Sequence, residues 1–314
     1  MRDSPLPDPL PLGEREFRLK VATPSEQRER DLFTASAWGS TLTLEQFIER
    51  EERLRAHPWA ARALTSWLWQ DTAGNTLSSC ETFRDEAIVG AKTGTASTIA
   101  SVFTEPKLRG QGHAANMLRA VIERLRGELA LTLFSEIGTD YYQRLGFWPV
   151  PAFDTFFAPR PDAPKDVEWL QTLPSLRLAA SDEHTLRLTL CTARLDWHLE
   201  RERLYTSALG RTPLTRHGAR VGESTITWTA YWKTAELQVL SLDARDSADL
   251  PLLIHAAAHA AHLCGLPTVR IWETRDLTGL PSARRAPRTD EVAMFLPLLP
   301  GVQAWTMIER GLWA

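Results

Sequence analysis

Apolar and polar positions along this chain alternate in blocks that switch between a period of two and a period near 3.6. Residues 16–22 (EFRLKVA) alternate as a short strand. Thr23-Pro24-Ser25-Glu26 then reads as a helix start: an N-cap Thr, Pro in the first turn, and a carboxylate that can reach back to the cap. Thr43-Leu44-Glu45-Gln46 repeats the signal and opens a helix to about His57. The β-rich runs Ala63–Gln70 and Thr76–Phe83 flank Asp71–Asn75, whose Gly and turn-formers predict a hairpin. Ser97–Phe103 is a further strand, stopped by Glu105-Pro106 because Pro cannot donate to a ladder. Over 114–126, Ala114, Leu118, Val121, Ile122 and Leu125 share one helical face, with Gly127 as C-cap. A buried strand, Ala130–Phe134, and a short helix ending at Leu145-Gly146-Phe147 follow.

Pro149, Pro151, Pro159, Pro161 and Pro164 then mark an inter-domain connection. Beyond it the pattern predicts a helix over 183–209, paired strands Ser224–Trp232 and Glu236–Leu242, and a helix Leu250–Cys264. Strands Thr268–Glu273, Glu291–Leu296 and Gln303–Ile308 complete the reading. Strand–helix–strand over 236–273 echoes strand–helix–strand over 97–134. The echo lacks a glycine-rich turn, since Asp243-Ala244-Arg245-Asp246 stands in that place. The expected architecture is α/β with mixed sheets: a first domain over 1–150, a linker over 151–164, and a second α/β domain over 165–314 that is a degenerate copy of the first.

Composition narrows the function classes. A chain of 314 residues with 43% hydrophobic positions can bury two cores. The formal net charge of −3 points away from nucleic acid. Cys80, Cys191 and Cys264 are far apart and odd in number, as expected of reduced thiols in a cytoplasmic protein. Segment 4–12 (SPLPDPLPL) lacks the pattern of a signal peptide, and no window approaches the roughly 20 apolar residues of a membrane span.

Chemistry concentrates between Phe103 and Ala114, where Arg109-Gly110-Gln111-Gly112-His113-Ala114 joins a strand to a helix. A helix N-terminus presents unpaired N–H groups and partial positive charge, so it attracts anions. Gly110 and Gly112 remove side chains that would hold a diphosphate away, and Lys107 and Arg109 add charge. No Lys-Ser/Thr follows, which disfavours a P-loop. A Rossmann site is disfavoured because the third Gly and the acidic residue on the next strand are both missing. A plain glycine-rich turn is the alternative.

These residues resemble a family. Arg109-x-x-Gly112-x-Ala114 is similar to the Gln/Arg-x-x-Gly-x-Gly/Ala signature of GCN5-related N-acetyltransferases (GNAT). Tyr142-Gln143-Arg144-Leu145-Gly146-Phe147 is similar to that family's Tyr-x-x-Leu-Gly-Phe element, one helix and one strand later. The resemblance implies a GNAT fold, with the pantetheine arm of acetyl-CoA along Ser101, Val102 and Phe103. It implies that the amides of Gly110–Ala114 hold the pyrophosphate, that an N–H near Val102 polarises the thioester, and that Tyr142 protonates the leaving thiolate. A lysine-like amine has an ordinary pKa near ~10.4, so a base must also take its proton. Glu136 and Glu81 are the candidates by position. Ser135 either bonds the pantetheine amide or caps the next helix.

A narrower resemblance rests on Phe134-Ser135-Glu136-Ile137-Gly138 and Trp197-His198-Leu199-Glu200-Arg201-Glu202. Both are similar to the fungal lysine N6-acetyltransferase family, whose second domain carries a Trp-His-x-x-Arg-Glu helix. It implies a small amine acceptor such as an amino acid, with Trp197, His198, Arg201 and Glu202 at the substrate; an interdomain packing helix is the alternative. Arg201 facing the site would favour amino acids, whereas an acidic pocket would favour polyamines or aminoglycosides. Other readings are a protein amine as acceptor, or a non-catalytic acyl-CoA-binding module. His255, His259 and His262 share one helical face, but Ala256 stands where a zincin needs Glu, so no metal is expected.

Overall fold

The computed structural model describes residues 17–175 and 181–314; segment 4–12 and Glu16 lie outside the described residues. The first half runs β1 (Arg18–Val21), α1 (Pro24–Trp38), α2 (Leu44–Ala56), α3 (Ala60–Ala63), β2 (Leu64–Gln70), β3 (Thr76–Val89) and β4 (Lys92–Thr104). It continues with α4 (His113–Arg124), β5 (Ala130–Ser135), the single-turn α5 (Asp140–Gln143) and β6 (Trp148–Pro149). Both expected capping boxes form. Thr23 Oγ1 accepts from Glu26 N while Glu26 Oε2 accepts from Thr23 N, and Thr43 with Gln46 repeats the exchange. Asp71 closes the β2–β3 turn by accepting from Asn75 N at 2.8 Å.

The second half holds β7 (Phe153–Phe157), β8 (Glu168–Trp169), β9 (Thr185–Leu188), α6 (Thr192–Ala208), β10 (Gly218–Val221), β11 (Ser224–Tyr231) and β12 (Glu236–Asp243). After these come α7 (Leu250–Leu263), β13 (Thr268–Trp272), β14 (Arg284–Pro287), β15 (Val292–Pro297) and β16 (Ala304–Trp305). The 183–209 stretch is therefore not one helix. Thr185–Leu188 has the period-two alternation of a strand, and the helix starts after Cys191.

Among the described residues the strands form two mixed sheets. The first has order β1-β2-β3-β4-β5-β15-β6, with β9 on the far end of β3 and β16 on β9. The second has order β14-β7-β13-β12-β11-β10-β8. In each, one parallel pair is bridged by a helix: β4 and β5 by α4, β12 and β13 by α7. The fold is α/β, with two GNAT-like sheet units. The strands do not follow the linear order of the halves. Phe153–Phe157, inside the proline-rich stretch, pairs with β13 and β14, and β15 pairs with β5 from Val292↔Ser135 to Pro297↔Ala130.

Packing follows the apolar faces. Met117, Leu118 and Val121 of α4 bury fully against Trp67, Ile99, Leu131 and Leu133. The inner face of α7, Leu253, Ala257 and Ala260, does the same in the second unit. Two of its three outer histidines are engaged by backbone: His255 Nε2 meets Asp162 O at 2.7 Å and His259 Nδ1 meets Arg160 O at 3.2 Å. Arg194 of α6 is fully buried where the units meet, paired with the Asp85 carboxylate and donating to Leu312 O. No helix among the described residues is long and apolar enough to cross a membrane.

Candidate active site

The site begins where β4 and β5 part. Their parallel pairing ends at Ile99↔Leu133, while β5 continues to pair with β15 through Ser135. On its other edge β4 bulges: Ser101 and Val102 both lie opposite Cys80, and Ser101 takes φ 51°. The bulge turns Ser101 O toward α1, where Arg30 Nη2 donates to it at 3.2 Å. The Ala100–Thr104 edge thus has no strand partner on the β5 side, and a cavity of about 760 Å³ opens there.

At one end of this cavity stands the loop before α4. Gly110 (φ 78°) and Gly112 (φ 80°) both adopt the left-handed region, and Gly112 is the N-cap with no side-chain hydrogen bond to the helix. A Cβ on Gly110 would meet nothing within 4 Å. The loop is therefore bare backbone around an uncapped helix start, the condition for binding an anion. Arg109 folds back to donate to Thr104 O at 3.1 Å and lines the cavity without a carboxylate partner among the described residues. Val102, Phe103, Gly110, His113 and Ala114 line it as well. Gln111 is exposed and donates to Lys107 O at 3.5 Å. Ser135 does not reach the cavity wall; its hydroxyl donates to Gly138 O and accepts from Ile137 N, closing the turn itself.

Tyr142 lies midway. It projects from α5, 7% exposed, with its ring edge-on to Phe147 at 6.0 Å and to Tyr141 at 5.1 Å. Burial, and then the neighbouring Tyr141, Cys80 and Glu136, push its pKa well above the ordinary phenol value, so it holds its proton. Glu136 is exposed at the cavity rim without an ion-pair partner among the described residues. Glu81 lines the opposite wall, 3% exposed and bonded to Arg30 Nη1 at 2.9 Å.

The far end is built by α1, α2 and α6. Trp197 packs against Trp59 and Phe83 with ring centroids 5.4 and 5.7 Å away and donates to Leu54 O at 3.1 Å. One turn on, Arg201 lies over Trp313 at 4.4 Å and lines the cavity with Tyr205. The other two expected substrate residues turn toward the second sheet. His198 Nε2 meets Gly311 O at 3.0 Å, and burial followed by the Arg194 charge holds its pKa well below the ordinary imidazole value. Glu202 accepts from Thr229 Oγ1 and Ala230 N, both at 2.8 Å, and joins α6 to β11.

Several wall residues escaped the sequence reading. Arg30 pairs with Glu81, Arg55 with Asp31, and Arg50 with Glu51 and Tyr205. Burial pushes the Asp31 carboxyl up to about 6 against the pull of Arg55. For Glu51, burial opposes ionisation but Arg50 and Arg55 outweigh it and hold the pKa below the ordinary value. These groups lie on helices charged on every face, so periodicity carried no signal for them. Lys233 sits on the β11–β12 turn, exposed at the rim, where no motif marks it. Each of these three arginines is thus compensated by a carboxylate. The cavity's unpaired long cations among the described residues are Arg109 at one end and Arg201 and Lys233 at the other.

Comparison with known proteins gives three findings. Residues 165–286 match the family model described as the LYC1 GNAT-like C-terminal domain. A lysine acetyltransferase of Yarrowia lipolytica is 23% identical, over 78% of this chain and 80% of its own length. Two solved structures share the fold: a conserved protein of Enterococcus faecalis described as a probable N-acyltransferase, and a GCN5-related N-acetyltransferase of Kribbella flavida. The first has TM-score 0.59 at 14% identity, covering 90% of this chain and 73% of its own. The second has TM-score 0.54 at 15% identity, covering 90% and 72%.

Proposed function

We propose that this chain is a GCN5-related N-acetyltransferase of the lysine-acetyltransferase-like branch, and that it transfers an acetyl group from acetyl-CoA to a side-chain amine of a small amino acid such as lysine. The observation that carries the reading is one cavity lined by Arg109, Arg201 and Lys233, none of them ion-paired among the described residues, and by a protonated Tyr142. One end suits a diphosphate and the other a carboxylate, so two anionic reactants would meet with their reacting groups near the middle. A polyamine or aminoglycoside would place its own cations against Arg201 and Lys233, at a Coulombic cost.

The residues have separable tasks. The bare amides of Gly110–Ala114 and the Arg109 guanidinium hold the pyrophosphate of acetyl-CoA. Beyond Ile99 the β5-side edge of β4 has no ladder partner, and the pantetheine arm and thioester align along its backbone groups. The acceptor amine arrives as an ammonium and must lose a proton before it attacks. Glu136, without an ion-pair partner among the described residues, takes that proton to solvent, whereas Glu81 stays engaged with Arg30 and holds the β4 bulge through that arginine. As the tetrahedral adduct collapses, Tyr142 gives its phenolic proton to the departing sulfur and CoA leaves as the thiol, while the second proton shed by the acylated nitrogen passes through solvent to restore the phenol.

The test is thiol release from acetyl-CoA with a panel of amines: lysine, ornithine, a polyamine, an aminoglycoside and a peptide N-terminus. Turnover greatest with the diamino acids supports the reading. Tight CoA binding with no turnover on any amine would instead mark a binding module without chemistry.

A further inference from the structure

Beside the main cavity lies an annex of about 20 Å³, where one water-sized group needs roughly 10–15 Å³. Arg201, Tyr205, Tyr231, Lys233 and Trp313 border both spaces, so the annex adjoins the acceptor end. Two buried polar atoms of its wall residues have no hydrogen-bond partner among the described residues: Nε of Arg201 and Oε1 of Gln238. Gln238 is 1% exposed. Its amide orientation follows from its other contact, because Nε2 donates to Glu236 Oε2 at 3.0 Å. The oxygen is then left facing the interior in need of a donor, a costly arrangement unless a ligand supplies one.

Charge around the annex is divided. Arg310 is met by Glu291 at 2.7 Å. Glu202 brings a buried negative charge whose oxygens accept from Thr229, Ala230 and, at 3.3 Å, His217. Arg201 and Lys233 remain without a carboxylate among the described residues. A site for an anion therefore adjoins a small site that asks for a hydrogen-bond donor and has a carboxylate behind it.

We infer that this corner binds the zwitterionic head of an α-amino acid, with its carboxylate on Arg201 and Lys233 and its α-ammonium in the annex on Gln238 Oε1. The inference rests on the acetyl-transfer reading of the main cavity and adds what selects between the two amines of a diamino acid. An α-amine held as ammonium by Gln238, close to Glu202, has no lone pair to attack with. The distal amine is left free to reach the thioester beside Tyr142.

The experiment measures kcat/KM for L-lysine, for cadaverine (lysine without its carboxylate) and for ε-aminocaproate (lysine without its α-amino group). In the wild type, lysine should exceed each analogue by roughly tenfold or more, as expected for hydrogen bonds to charged groups. Gln238→Met should lower the lysine-to-aminocaproate ratio by roughly 10- to 100-fold. Lys233→Met should lower the lysine-to-cadaverine ratio instead. Equal use of lysine and ε-aminocaproate by the wild type overturns the inference, as does a Gln238→Met protein that loses all three substrates in parallel. If Gln238→Met does not fold, Gln238→Asn, which withdraws the amide by one methylene, is read by the same ratio. Similar turnover of all three amines leaves acetyl transfer standing and removes only the head-group site. Turnover of none of them removes both.

Discussion

Tyr142→Phe is the substitution on which the chemistry turns. It deletes one oxygen and keeps the ring seated between Tyr141 and Phe147, 5.1 and 6.0 Å from their centroids. Stability should therefore change by no more than about 1 kcal/mol, visible as a nearly unmoved melting temperature. The loop at Gly110–Ala114 is untouched, so acetyl-CoA affinity by titration calorimetry should match the wild type. Turnover is different, because the thiolate would leave without a proton donor. General-acid loss of this kind costs roughly 10²–10⁴-fold, equivalent to about 2.7–5.4 kcal/mol at 1.36 kcal/mol per decade. Since the environment raises the Tyr142 pKa, the phenol stays protonated across the neutral and mildly alkaline range. The alkaline side of the wild-type rate profile should then keep its shape in the variant while its height falls. The assay is thiol release at saturating acetyl-CoA and lysine over that pH range. An unchanged kcat, or a loss of kcat matched by lost CoA affinity, would refute the assignment.

Gly112→Val forces a β-branched residue to φ 80° at the uncapped start of α4; at about 1–2 kcal/mol of left-handed strain, acetyl-CoA affinity measured by calorimetry should weaken roughly tenfold, and an unaltered Kd would argue against the loop as its seat. Arg194→Met strands the buried Asp85 carboxylate and the Leu312 carbonyl; breaking such a pair costs about 3–5 kcal/mol, so thermal unfolding should shift far down, and Arg194→Met with Asp85→Leu should recover much of the loss. For Glu26, bonds from Lys20 and Thr23 hold the carboxyl down at about 2, below its ordinary 4.5. Its contribution is complete above pH 4.5 and is lost as pH falls toward 2; Glu26→Gln should flatten stability in that acid window, and an identical pH dependence in variant and wild type would count against it.

Local signals were legible in the sequence wherever a few adjacent residues decide the backbone. Thr23 with Glu26, and Thr43 with Gln46, announce their helices because each cap bond spans only three residues. The Gly110–Gly112 turn is equally local, and so is the Tyr142–Phe147 element. Long-range pairing was not legible. Arg84–Ala96 is a polar, Gly- and Thr-rich stretch, yet it completes the long β3–β4 hairpin, with Asp85, Ala87 and Val89 buried while Arg84 and Glu86, alternating with them, are exposed. Phe153–Phe157 was hidden by the prolines around it, and nothing near Val292 tells that β15 inserts between β5 and β6. In the site, the α6 motif announced four residues without their directions. A helix turns 100° per residue, so Trp197 and Arg201 face the cavity while His198 meets the backbone at Gly311 and Glu202 bonds β11. Lys233 and Gln238 carry no pattern at all, since a turn and a strand deliver them.

A crystal structure of the protein with CoA and L-lysine bound together tests the central claim most directly. The account predicts the pyrophosphate on the amides of Gly110–Ala114, the thiol directed at Tyr142, and the lysine carboxylate on Arg201 with its distal amine toward the sulfur. Pantetheine outside the β4–β5 gap, or lysine held with its carboxylate toward Tyr142, would contradict it.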